Sequence, residues 1–206
     1  MMLERGRTMC GRYTFFTDKE LQEVDEIIDQ ISNEILLEKM TPGEIFPTNA
    51  APVLLPQGEL VIPRLMIWGF PNFRNKGVII NARSESAREK KLFGSSLESR
   101  RCVIPSTGFY EWNLQKRKYL FNMPGTKMLY MAGIYSRFEE ESRFVILTAG
   151  ANRSMEQVHD RMPVILPKNR IRDWLLDASQ IDDILFGDQP ELVKREADGN
   201  QMELDC

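Results

Sequence analysis

The residues best suited to chemistry stand near the start of the chain, in Met9-Cys10-Gly11-Arg12-Tyr13. A cysteine that comes first in a chain carries a free α-amine and a thiol on adjacent carbons. Such a 1,2-aminothiol attacks an aldehyde through nitrogen to give an imine, and the sulfur then closes a five-membered thiazolidine ring. The amine titrates near ~7.7–8.0 and the thiol near ~8.5, so a usable fraction of each is nucleophilic at neutral pH. Cys10 gains this chemistry only if translation begins at Met9 and that methionine is removed, or if a cut falls after it. Inside a chain its nitrogen is an amide and only the thiol remains. By type alone, a lone cysteine is a small buried hydrophobe.

Further candidates lie far along the chain. Glu111 sits in Gly108-Phe109-Tyr110-Glu111-Trp112, a carboxylate among three aromatics, where desolvation would raise its pKa. His159 is the single histidine, in His159-Asp160-Arg161-Met162-Pro163, and is suited to proton transfer near neutrality. Asn81-Ala82-Arg83-Ser84-Glu85 follows a short apolar run at a strand-to-helix junction, where free backbone N–H groups favour anions. Each has a plainer reading. Asn81 can cap a helix, Glu111 can pair with Arg12 or Arg101, His159 can hydrogen-bond within a turn, and Trp68 and Trp112 can be core aromatics.

The elements that must position these residues read as follows. Tyr13 to Phe16 is a strand, and Thr17-Asp18-Lys19-Glu20 has the form of a capping box. Leu21, Val24, Ile27, Ile28 and Ile31 then recur at helical spacing, predicting an amphipathic helix over 18–31. Val53-Leu54-Leu55 and Leu60 to Ile67, joined at Gln57-Gly58, form a hairpin. Val78-Ile79-Ile80 is a strand, 84–93 a helix ending at Gly94, and Cys102 to Pro105 a strand. Strands are also expected at 119–121, 128–135, 144–148 and 164–166. Asn152 or Ser154 caps a short helix carrying Met155 and Val158, and short helices span 171–176 and 181–186. The fold class is α+β, a single domain over 9–189 with a strand-rich core. Residues 1–8 are a leader or a mis-assigned start, and 190–206 a polar, acidic, frayed tail.

Composition narrows the function. At 206 residues, 42% apolar and 28% charged, the chain is an ordinary globular domain. No run approaches the ~18 apolar residues of a membrane span, and the N-terminus lacks a secretory apolar region. Three cysteines without a C-x-x-C pair, and one histidine, argue against a disulfide framework or a zinc site. The expectation is a cytoplasmic protein needing no metal or cofactor. The net charge of −3 conceals a split: residues 71–135 hold twelve Lys/Arg against four acids, a local +8, leaving −11 elsewhere. A basic middle suits a local anion-binding groove.

The motifs at 9–13, 81–85, 105–112, 148–152 and 159–163, in this order, resemble the SOS-response-associated peptidase (SRAP) family from Met9 to about Phe186. The resemblance implies a mixed fold around a barrel-like β core, with a positively charged groove for single-stranded DNA. It implies a lyase-like activity, covalent cross-linking to abasic sites through a thiazolidine, and self-cleavage of the N-terminal residue. By motif position, Cys10 matches the cross-linking residue and Asn81 the asparagine that holds the abasic residue. Glu111 and His159 match the acid and imidazole partners, and Arg83 and Arg161 the phosphate-contacting arginines. Arg12, Trp68 and Thr148 would line the same groove, Trp68 as a stacking face. The implied partner is single-stranded DNA containing abasic sites, met by a monomer that joins the nucleoid during repair. A cysteine peptidase using Cys10, His159 and Glu111, and a non-catalytic reader of DNA, are the competing functions.

Overall fold

The computed structural model of the chain describes residues 11–16, 22–31, 40 and 42–197. Cys10, the capping box at 17–20 and the last residues of the tail lie outside this set.

Five long strands close on themselves. β3 (Ala50–Gln57) and β4 (Leu60–Trp68) form the expected hairpin. β3 pairs with β8 (Arg101–Ser106), β8 with β11 (Leu129–Phe138), and β11 with β12 (Glu141–Gly150). The ring closes where β12 runs parallel to β4, with Arg143 beside Ile67. Every residue of β8 is buried, which is why Cys102-Val103-Ile104-Pro105 reads as a continuous apolar run rather than an alternation. The fold is therefore α+β with a barrel core, as the sequence implies.

The barrel extends at one end of β12. β7 (Asn81–Arg83) lies parallel to it, with Asn81 beside Ile146 and Arg83 beside Thr148. β13 (Arg161–Pro163) is antiparallel, with Arg161 beside Gly150 and Pro163 beside Thr148. β14 (Ile165–Leu166) joins β11, and β5 (Phe70–Pro71) pairs with β6 (Val78–Ile79) ahead of β7.

A second sheet has the order β15 (Val193–Glu196), β10 (Lys118–Asn122), β9 (Gly108–Trp112), β1 (Tyr13–Phe15), β2 (Gly43–Ile45). The chain passes from barrel to second sheet through Ser106-Thr107-Gly108. Ser106 Oγ donates to the carbonyls of Thr14 and Gly108, Thr107 N–H donates to Thr14 O, and Asn122 Nδ2 donates to Thr107 O. A Cβ on Gly108 would stand 2.9 Å from Phe121 O and 2.7 Å from Asn122 Nδ2, so only glycine allows so close an approach.

Among the described residues five α-helices cover this framework. α1 (Gln22–Ile31) buries Val24, Ile27 and Ile31, the expected apolar face; the part predicted before Gln22 lies outside the described residues. α4 (Ile171–Leu176) and α5 (Ile181–Phe186) fall where predicted.

Three expectations are corrected. The predicted helix over 84–93 is a single turn, α2 (Ser84–Ala87), and Gly94 opens α3 (Gly94–Ser99) instead of ending a helix. The exposed Glu89-Lys90-Lys91 run offers no apolar face there, and a Cβ at 94 would meet Arg88 O at 2.5 Å. Residues 153–158 form successive turns rather than a regular helix, although Asn152 caps their start as expected, its Oδ1 accepting from Ser154 N–H and from the Ser154 hydroxyl. Val193–Glu196, expected as frayed tail, pairs with β10 as an edge strand rich in charge. No helix among the described residues is long and apolar enough to cross a membrane.

Candidate nucleic-acid and catalytic site

β9 carries Glu111 and lies beside the segment that follows Cys10. Tyr13 pairs with Phe109, and Tyr110 N–H donates to Arg12 O at 2.9 Å. The backbone leaving Cys10 is thereby tied to the strand of the carboxylate. Glu111 is 3% exposed, and the Trp112 N–H approaches its Oε2 at 3.4 Å. Neither arginine considered as its partner points to it. Arg12 binds Glu44 at 3.0 Å and lies over the rings of Phe46 and Trp112. Arg101 is buried and donates to the last carbonyls of α3 and α4, closing two helix ends at once.

His159, 4% exposed, ends the turns that lead into β13. Its Nδ1 accepts the Arg161 backbone N–H at 3.0 Å, and Asp160 Oδ1 stands 3.0 Å from the same nitrogen. A donor on Nδ1 holds the neutral ring in its Nε2–H form, whereas Asp160 serves the protonated ring. The imidazole thus has a partner on hand for either charge state.

Asn81, Arg83 and Arg161 converge on β12. Arg161 forms a bidentate ion pair with Glu85, and its Nη2 also donates to Thr148 O at 2.6 Å and Thr148 Oγ1 at 3.2 Å. The bonded Arg161 guanidinium, followed by the nearby charge of Arg83, holds the Glu85 carboxyl below its ordinary range despite partial burial. Arg83 is exposed.

Two expected groove residues take other roles. Trp68 is 0% exposed. Its indole N–H donates to Ile80 O, Tyr13 packs edge-on to it, and Phe144 stacks on it. It presents no face to a base; it fills the barrel because a large ring at the end of β4 removes most surface from water there. Thr148 is also buried and acts on Arg161 rather than at the surface. Sequence reasoning passed over Phe73, which is 79% exposed and directly precedes Arg74 on the loop joining β5 to β6. Asn72 Oδ1 accepts from the backbone N–H groups of Arg74 and Asn75 and shapes that loop. An aromatic amid polar turn residues, Asn-Phe-Arg-Asn-Lys-Gly, was the available signal. Glu44 and Glu85, each neutralising an arginine, had none.

Comparison with known proteins shows the family and the fold. The family model described as SOS response associated peptidase (SRAP) matches residues 9–202, and the chain belongs to that family. Among its relatives, the abasic site processing protein YoqW of Bacillus subtilis (strain 168) is 32% identical over 187 residues, covering 81% of this chain and 80% of the relative. The abasic site processing protein YedK of Escherichia coli (strain K12) is 26% identical over 180 residues, covering 81% and 79%. A crystal structure from Bacteroides thetaiotaomicron shares the fold with a TM-score of 0.71 at 23% identity, covering 91% of each chain.

Proposed function

We propose that the protein processes abasic sites in single-stranded DNA by forming a covalent thiazolidine cross-link through Cys10 once that residue is N-terminal. The observation that carries this is the pairing of β9 with the chain leaving Cys10, which brings a buried carboxylate, Glu111, to the strand beside the nucleophile's own segment. The relatives' role as abasic site processing proteins supports the same reading.

The abasic sugar is mostly a closed hemiacetal. His159, protonated with Asp160 beside it, would give a proton to the ring oxygen as the Glu111 carboxylate takes the proton of the anomeric hydroxyl, and the aldehyde opens. The α-amine of Cys10 adds to the carbonyl carbon, and loss of one water gives the imine. The thiol sulfur then adds to the imine carbon, and its proton ends on nitrogen. Glu111 is the group suited to shuttle these protons, and Asn81 to orient the amine. Arg83 and Arg161 would hold the flanking phosphates. The stacking role expected of Trp68 passes to Phe73, whose exposed ring lies on a loop that also carries Arg74 and Lys76.

The test is the intact mass of two forms of the protein, beginning at Met1 and at Met9, after incubation with single-stranded DNA bearing one abasic site. A DNA-sized gain confined to protein whose first residue is Cys10 is expected. No gain when Cys10 is confirmed as the first residue would end the cross-linking proposal.

A further inference from the structure

The phosphate-binding edge assigned to Arg161 is already occupied. Glu85 covers the end of the guanidinium with both carboxylate oxygens, while Thr148 grips Nη2 from the barrel side. Among the described residues Nε has no hydrogen-bond partner and is buried. The two partners differ in accessibility: the Arg161 side chain is 16% exposed, and that of Glu85 50%. Arg161 is therefore built into the wall, and Glu85 lies over it from solvent. Arg83 sits close enough for its charge to act on the same carboxyl.

Resting on the reading of single-stranded DNA as ligand, we propose that Glu85 is an exchangeable latch. Its carboxylate occupies the edge of Arg161 that a DNA phosphate takes, and binding trades carboxylate for phosphate. Carboxylate and phosphate both accept the guanidinium fork in bidentate fashion, so the exchange needs no new geometry. A half-exposed ion pair is weak, so release of Glu85 is inexpensive in free energy. The Thr148 contacts persist through the exchange and keep the fork aimed outward. The latch also sets selectivity: it neutralises one of two neighbouring cations, so a lone anion gains little, whereas a strand contacting several cations displaces it.

The experiment measures binding of an undamaged single-stranded oligothymidylate to wild type, Glu85→Gln, Arg161→Gln and the double variant across a salt series. Melting curves first establish that each is folded, with Glu85→Ala as a second way of removing the charge. Glu85→Gln is expected to bind up to about fivefold more tightly at low salt, the order of one surface ion pair. Its plot of log affinity against log salt should keep the wild-type slope, because Arg161 neutralises the same phosphate in both complexes. In the Arg161→Gln background the gain should vanish. Equal or weaker binding by Glu85→Gln, or a gain that survives loss of Arg161, overturns the latch. The two readings fail separately. Cross-linking to abasic DNA without any binding of undamaged DNA sinks the latch alone. Binding that follows the predicted pattern without a covalent mass gain sinks the cross-link alone.

Discussion

Glu111 is a buried carboxylate on a strand paired with the segment after Cys10, and a shape-preserving substitution separates its chemistry from folding. Glu111→Gln keeps the shape and removes the proton-carrying group. Cross-linking should slow by ~10²-fold or more, the scale of general acid–base catalysis, with an unchanged melting temperature. Unaltered single-turnover rates would remove Glu111 from the site. Glu85 makes a pH prediction. Its folded-state pKa lies below the ordinary carboxylate value, so the stability it adds is fully present above the unfolded pKa near ~4.3 and is lost as pH falls through the depressed folded value. Wild type should melt above Glu85→Gln at neutral pH, and the gap should close in acid. Because the carboxylate is half exposed the gap is small. Two aromatic truncations contrast: Trp68→Ala should cost ~3–5 kcal/mol of stability as a cavity in the barrel. Phe73→Ala should leave stability within ~0.5 kcal/mol but weaken single-strand binding by ~1–3 kcal/mol. Denaturant titration beside a binding isotherm distinguishes the two effects.

The elements explain why residues seventy positions apart meet. β12 accepts β7 along one stretch and β13 along another, so Arg83 and Arg161 approach Thr148 from different strands. The barrel behind them is closed by β8, β11 and β12 crowding at Gly133. A Cβ there would stand 2.9 Å from Val145 O and 3.1 Å from Cys102 Sγ, and would meet the Ile104 side chain. Gly133→Ala is therefore expected to destabilise by ~1–3 kcal/mol through overpacking, read as a lower urea midpoint at constant m-value. An unchanged midpoint would mean the ring opens slightly at no cost.

For the molecule as a whole, Cys102 tests how tightly the core excludes solvent. It is wholly buried, and desolvation pushes its thiol far above the ordinary range. In the native protein Cys102 should resist a thiol-alkylating reagent at pH 8, and react once the chain is unfolded in guanidinium. Peptide mapping separates it from the other cysteines. Rapid native labelling of Cys102 would show that the barrel opens readily.

The order of motifs was enough to find the family, and it named Asn81, Glu111 and His159 as candidates for the site. The apolar spacing was enough to find α1, the β3–β4 hairpin and most barrel strands. These are local matters: a side chain's chemistry and the period of burial are written in adjacent residues. Partnership is not local. Whether Trp68 faces a base or Phe144 depends on which strand closes the ring, and the same indole suits both. Whether Arg161 and Arg12 are open cations depends on Glu85 and Glu44, brought to them from α2 and β2. Val193–Glu196 is a strand only because β10 offers it an edge. Residue type decided what each group can do. Only the closing of the sheets decided what each group faces, because long-range pairing juxtaposes residues that no local period connects.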